Sequence, residues 1–155
     1  MLRKDDMSRG LFRTSFMILF FSVGMFEIQP EETYTVVVNA ANPVAEITRH
    51  DLAEIFLKKT RKWRNGAFID PVDLSESSAV RTDFSKDIYR RRVAAIKAYW
   101  QKQIFAGRGV PPPEKIHDLE VLRYVDEHRA AIGYISAATS IEGFRVKVIE
   151  VVDNK

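Results

Sequence analysis

Ser75, Ser77, Ser78 and Arg81 are crowded into the seven residues Ser75-Glu76-Ser77-Ser78-Ala79-Val80-Arg81. Hydroxyls and a guanidinium donate hydrogen bonds to anions. The first N–H groups of a helix point out of its end and carry partial positive charge, so a helix starting here could hold phosphate or another oxyanion. In that arrangement Ser75, Ser77 and Ser78 offer hydroxyls, the N–H groups of Ala79 and Val80 face the anion, and Arg81 supplies charge. The same residues fit a second role. Ser77 or Ser78 can serve as an N-cap that satisfies only its own helix. The residues alone leave both roles open.

The elements needed to position this stretch are legible on either side of it. The apolar run Phe68-Ile69-Asp70-Pro71-Val72 predicts a strand leading in. Val80, Phe84 and Ile88, at i, i+4 and i+8, predict a helix leading out.

Other chemistry is sparse. His50, His117 and His128 form no HxxxH pair and have no carboxylate at ligand spacing, which argues against a metal site. No G-x-S-x-G elbow, phosphate-binding P-loop or dinucleotide fingerprint occurs. With no cysteine, disulfides and thiolate chemistry are excluded. Ser77 and Ser78 have no histidine base nearby in sequence. The reading is a binding module without a cofactor, not an enzyme.

Two further stretches are basic. Lys58-Lys59-Thr60-Arg61-Lys62-Trp63-Arg64 could track nucleic-acid phosphates and stack a base on Trp63. A solvated loop whose Trp packs back on the core is the preferred reading, so no nucleic-acid partner is expected. Arg90-Arg91-Arg92 could help hold an anion but reads better as a solvated helix end.

The rest of the chain predicts alternating strands and helices. Tyr34–Val38 reads as a buried strand, broken by the Asn39-Ala40-Ala41-Asn42-Pro43 loop. Thr48 with Asp51 predicts a capped helix ending near Leu57, with Leu52, Ile55 and Phe56 on its apolar face. Val93, Ile96, Trp100 and Ile104 predict a longer amphipathic helix stopped by Gly107, before a stiff loop through Pro111, Pro112 and Pro113. Asp118 reads as the cap of a helix whose face is Leu119, Leu122 and Val125. Ala130–Ser136 and Phe144–Val152 read as strands, with Gly133 marking a close backbone approach. This pattern predicts an α/β sandwich.

The chain has 155 residues, 46% hydrophobic and 29% charged, enough for one domain with one real core. Basic residues near the N-terminus precede an uncharged apolar run, Ser15–Phe26, which is short for a membrane span and suits a signal peptide. The expected layout is a leader over 1–24, a linker over 25–33 and a domain over 34–155. Residues 1–24 hold four basic and two acidic side chains, leaving 20 basic and 19 acidic beyond them. The basic isoelectric point therefore owes much to the leader and is no argument for nucleic acid.

A series of landmarks carries a resemblance: Val36-Val37-Val38-Asn39 with Asn42-Pro43-Val44, Asp51-Leu52 with Ile55-Phe56, Trp63 with Gly66, Ser77-Ser78 with Phe84, and Ala131-Ile132-Gly133-Tyr134-Ile135. Together these resemble the phosphate-binding substrate-binding proteins of ABC transporters, the PstS-like family, from about Thr35 to Val151. The resemblance implies a three-layer α/β sandwich, a single lobe of a type 2 periplasmic-binding-protein-like fold. It matches the second of two lobes that close over phosphate in that family. It further implies export to the periplasm, phosphate or another oxyanion as ligand, and an ABC permease or another envelope protein as partner; a homodimer is an alternative partner.

The family's ligand loop places an Arg four residues before Ser-Gly-Thr at a helix start. With Phe84 as the anchor, Ser78 takes the Ser position, Ala79 the Gly, Val80 the Thr and Leu74 the Arg. Losing a charge-assisted Arg contact costs about 1.5–3 kcal/mol, roughly tenfold to a hundredfold in affinity. The expectation is weak or lost phosphate binding, with a protein-interaction scaffold built from the same lobe as the alternative function.

Overall fold

The consecutive residues Val36, Val37 and Val38 are all buried, so the strand that carries them is covered on both faces. The structure, a computed structural model, describes residues 33–153; the expected leader and nearly all of the expected linker lie outside the described residues. The elements in order are β1 (Tyr34–Asn39), β2 (Glu46–Thr48), α1 (Arg49–Phe56), β3 (Asp70–Pro71), β4 (Asp73–Leu74), α2 (Ala79–Ile88), α3 (Val93–Phe105), β5 (Glu114–Lys115), α4 (Asp118–Glu127), β6 (Ala131–Ser136) and β7 (Val146–Val152).

Five strands form one mixed sheet in the order β2-β7-β1-β6-β3. Central β1 runs antiparallel to β6 and β7, while β2 and β3 add parallel strands at the two edges. The register sets Val37 opposite Gly133 and Val36 opposite Tyr134. Neighbouring residues on a strand face opposite ways. Gly133 meets Val121 and Val125 of α4, whereas Tyr134 stacks on Phe84 of α2 and lies against Phe56 of α1. The described residues thus form three layers: α4 below the sheet, α1 and α2 above it.

The upper layer is held by aromatic packing. The Phe84 and Tyr134 rings stack with centroids 3.8 Å apart, and the Tyr34 and Phe56 rings pack at 5.3 and 5.1 Å from Phe84. This cluster joins β1, β6, α1 and α2, and so fixes the helix that begins at the serine-rich stretch.

Helix ends follow local chemistry. Thr48 Oγ1 accepts from the Asp51 N–H at 3.0 Å, as the cap pattern predicts, and Leu57 closes α1. At α4 the start falls one residue earlier than expected: His117 is the N-cap. The Asp118 carboxylate instead accepts from the Ser136 N–H at 3.0 Å and the Thr139 hydroxyl at 2.6 Å, tying α4 to the end of β6. Val121, Leu122 and Val125 form the buried face, and Leu119 is exposed. At about 100° per residue, Leu119 lies on the far side of the helix from Val121. In α3 only Ile96 and Trp100 are buried, while Phe105 is 92% exposed.

The Glu120 carboxylate accepts from the backbone N–H groups of Ile116 (2.9 Å) and His117 (3.0 Å), and these bonds hold its pKa below the usual value. Its contribution is therefore fully present above the ordinary carboxylate pKa and fades as pH falls through the depressed one. Glu120→Gln should lower the melting temperature at neutral pH. The gap from wild type should close as the buffer is taken into the acid range. A gap independent of pH would show that the charge is irrelevant to the cap.

Candidate functional site

The serine-rich stretch is a turn between β4 and α2. The Ser78 N–H donates to the Ser75 carbonyl at 2.9 Å, closing the turn, and the Ser75 and Ser77 hydroxyls lie 2.8 Å apart. Ser78 is the N-cap: its Oγ accepts from the Arg81 N–H at 3.3 Å, and its carbonyl takes the Thr82 N–H at 3.1 Å. The N–H groups of Ala79 and Val80 take no protein acceptor, as the geometry of a first helical turn dictates. Ser77 and Ala79 are exposed; Ser75, Ser78 and Val80 are half-buried. The arrangement presents hydroxyls and unpaired N–H groups together on the surface. The cap role of Ser78 uses one of its oxygen lone pairs and leaves the hydroxyl proton free to donate.

Arg81 goes elsewhere. Its side chain is buried and ion-paired with the equally buried Asp73 of β4. The guanidinium also lies 3.4 Å from the Tyr134 phenol oxygen and 3.5 Å from the Leu74 carbonyl, and its Nε has no partner. The Tyr134 phenol donates to Asp73, whose carboxylate also accepts the Leu74 N–H at 2.9 Å. Burial pushes the Tyr134 hydroxyl pKa well up, with the Arg81 charge opposing that shift. The structure thus brings Ser75, Ser77, Ser78, Ala79 and Val80 together at the surface and turns Arg81 beneath them. Its charge is balanced by Asp73 and does not reach the turn as free positive charge.

Sequence reasoning missed Asp73 and Tyr134. The available signal was a carboxylate, Asp73, set between the apolar Val72 and Leu74 directly after the predicted strand, since a buried charge needs a partner. Leu74, at the position where the resembled family has Arg, is buried in the core and has no donor to offer.

The surroundings of the turn are mixed. Glu76, in its middle, pairs with Lys97 of α3 at 3.0 Å and places a carboxylate near any bound anion. The Ser75 N–H donates to the Lys115 carbonyl at 2.8 Å, which brings the exposed Ile116 alongside. In the basic loop, Trp63 is buried and its indole N–H donates to the Ala130 carbonyl at 2.9 Å, so it is no stacking platform for a base. Among the described residues, no group of three or more His, Asp or Glu could hold a metal ion, and no helix is long and apolar enough to cross a membrane.

The architecture matches that of solved substrate-binding proteins. An ABC-type phosphate transport receptor from Vibrio cholerae superposes with a TM-score of 0.59 at 22% identity, over 77% of this chain and 46% of the receptor. A putative phosphate ABC transporter substrate-binding protein with bound phosphate, from Clostridium perfringens, gives 0.59 at 19% identity over 77% and 44%. A possible phosphate binding protein from Planctomyces limnophilus gives 0.58 at 21% identity over 78% and 42%. No protein-family model matches the sequence, and no curated protein is significantly similar to it.

The fold is therefore the three-layer α/β sandwich of phosphate ABC transporter substrate-binding proteins, which are binding proteins rather than enzymes. This chain spans less than half the length of those relatives, consistent with a single lobe.

Proposed function

We propose that this protein is an exported oxyanion-binding module that holds phosphate weakly at the turn between β4 and α2. The observation that carries the reading is the juxtaposition of the Ser75, Ser77 and Ser78 hydroxyls with the unpaired Ala79 and Val80 N–H groups, on a fold shared with phosphate receptors. Arg81 braces the turn from below through Asp73 and gives the anion no free charge. Glu76 opposes it. Weak affinity and fast exchange follow, in service of an ABC permease in the periplasm.

A second reading has its own observation. Ile116 is exposed beside the turn and Leu119 is exposed on the adjoining first turn of α4, so this face also suits a protein partner or a second copy of the chain.

A thermal-shift titration with phosphate, sulfate and chloride at matched ionic strength separates the two. Ligand at 100 times its dissociation constant stabilises by about 2.7 kcal/mol. Phosphate should raise the melting temperature selectively, and Ser78→Ala should abolish most of that rise beyond its own loss of a helix cap. A response shared equally by all three anions, or none, overturns the anion site in favour of the interaction scaffold.

A further inference from the structure

The other end of α2, about 15 Å from the serine turn at 1.5 Å per residue, opens into a second cleft. It has a volume of about 600 Å³ and lies among α1, the end of α2, the start of α3 and Asp153. Its walls combine four cations, Arg49, Lys59, Arg90 and Arg91, with only two carboxylates, Asp87 and Asp153. Both carboxylates are engaged by Arg49, through Nη1 to Asp87 and through Nε to Asp153 at 2.8 Å. Asp87 also accepts the Tyr34 phenol at 2.6 Å. Lys59 pairs with Glu54 at 2.9 Å, and Arg90 stands 3.9 Å from Asp87. Arg91 has no carboxylate partner among the described residues and is exposed at the rim.

The backbone aims these groups. Arg90 sits at φ +54°, a left-handed conformation that is uncommon for a side chain larger than Asn, and the Arg91 N–H turns back to the Ser85 carbonyl at 3.3 Å. The reversal ends α2 and sets two guanidinium groups at the cleft mouth. The lining beside them is mixed: Arg49, His50 and Asp87 are polar, Leu57 is half-buried and apolar, and the half-buried Tyr89 and Tyr99 add ring faces. A bare phosphate ion would use the rim and leave this lining idle. Small-molecule sites commonly have volumes of about 300–1,000 Å³, an apolar lining and a few placed polar groups.

We infer that this cleft is a binding site for a small organic anion. Its charged head would lie between Arg90 and Arg91, and its apolar or aromatic body would rest on Leu57 and the rings of Tyr89 and Tyr99. The site is separate from the serine turn and does not depend on the function proposed for that turn.

The test is an amide-resolved NMR titration of the whole chain with phenyl phosphate, inorganic phosphate and phenol. Phenyl phosphate should shift the amides of Leu57, Tyr89, Arg91 and Tyr99 saturably, more tightly than inorganic phosphate does, while phenol leaves them unmoved. Arg91→Glu, a change at an exposed rim position, should weaken that response roughly tenfold or more. The response of Ser77–Val80 to inorganic phosphate should be unaltered. Equal shifts with phenol, an unchanged affinity in Arg91→Glu, or shifts confined to Ser77–Val80 would each overturn the assignment; the last would leave the serine-turn site standing alone.

Discussion

Asp73→Ala should cost about 3–5 kcal/mol of folding stability, the range found when one member of a buried ion pair is removed. Arg81 is the reason. Its guanidinium is enclosed and already has one unpartnered nitrogen, and Asp73 is the only carboxylate in contact with it among the described residues. Without that carboxylate a full positive charge stays buried with only the Leu74 carbonyl and the Tyr134 oxygen nearby. The Tyr134 phenol loses its acceptor at the same time. Domains of this size are stable by only about 5–15 kcal/mol, so the variant should be strongly destabilised. Replacing both partners, as in Asp73→Leu with Arg81→Met, should recover much of the loss, because two apolar groups leave no charge to solvate. Urea denaturation of wild type, both single variants and the double variant measures this coupling. A loss under about 1 kcal/mol in Asp73→Ala would mean that water reaches the pair and that it is not the buried brace described here.

That brace also explains what was hidden in the sequence. The period of Val80, Phe84 and Ile88 located α2 correctly, and Ser78 caps it. Arg81, one turn before Ser85 on that helix, is expected from the sequence to supply charge to a bound anion. In the fold Arg81, Ser85 and Ile88 share the buried stripe with Phe84, and Val80 is only half-buried. What turns Arg81 inward is non-local: its partners are Asp73, eight residues back on another element, and Tyr134, on β6. No local pattern encodes that triangle. The two-residue strands β4 and β5 were equally beyond reach, being too short for an alternation to register, whereas β3 falls inside the predicted Phe68–Val72 strand. Local signals did carry through where the physics is local. The Thr48 cap and the Gly107 stop at φ +66° follow from residues within one turn, while Trp63 packs inward as expected but on a distant partner, the Ala130 carbonyl. The serine turn is intermediate. Its hydroxyls and helix start were legible, but the loss of its one cation to the core was not.

Gly133→Ala should destabilise the domain by about 1–3 kcal/mol, the usual cost of inserting a methyl group into a filled core. A Cβ at this position would lie 2.6 Å from Val121 Cγ1 and 2.9 Å from Val72 Cγ1, well inside contact distance. Val121 cannot simply swing away, because a β-branched residue in a helix has one strongly preferred rotamer. The whole of α4 must move off the sheet, or the strand must bow. Val121→Ala removes the obstructing methyl and should itself cost stability by leaving a cavity, yet the double variant should be less destabilised than the sum of the two. A coupling of about 0.5–3 kcal/mol in a denaturation cycle is the expected sign of direct contact. Additive effects would mean that α4 already has room, against the geometry. The displacement matters beyond stability. α4 is tied at its start to Ser136 and Thr139 through Asp118, and β5 just before it supplies the Lys115 carbonyl that fixes the Ser75 N–H. Pushing α4 outward therefore loosens the far wall of the serine turn, and Gly133→Ala should weaken the phosphate response even at temperatures where the fold is intact. An unchanged response would show that the turn is held by Asp73 and Arg81 alone.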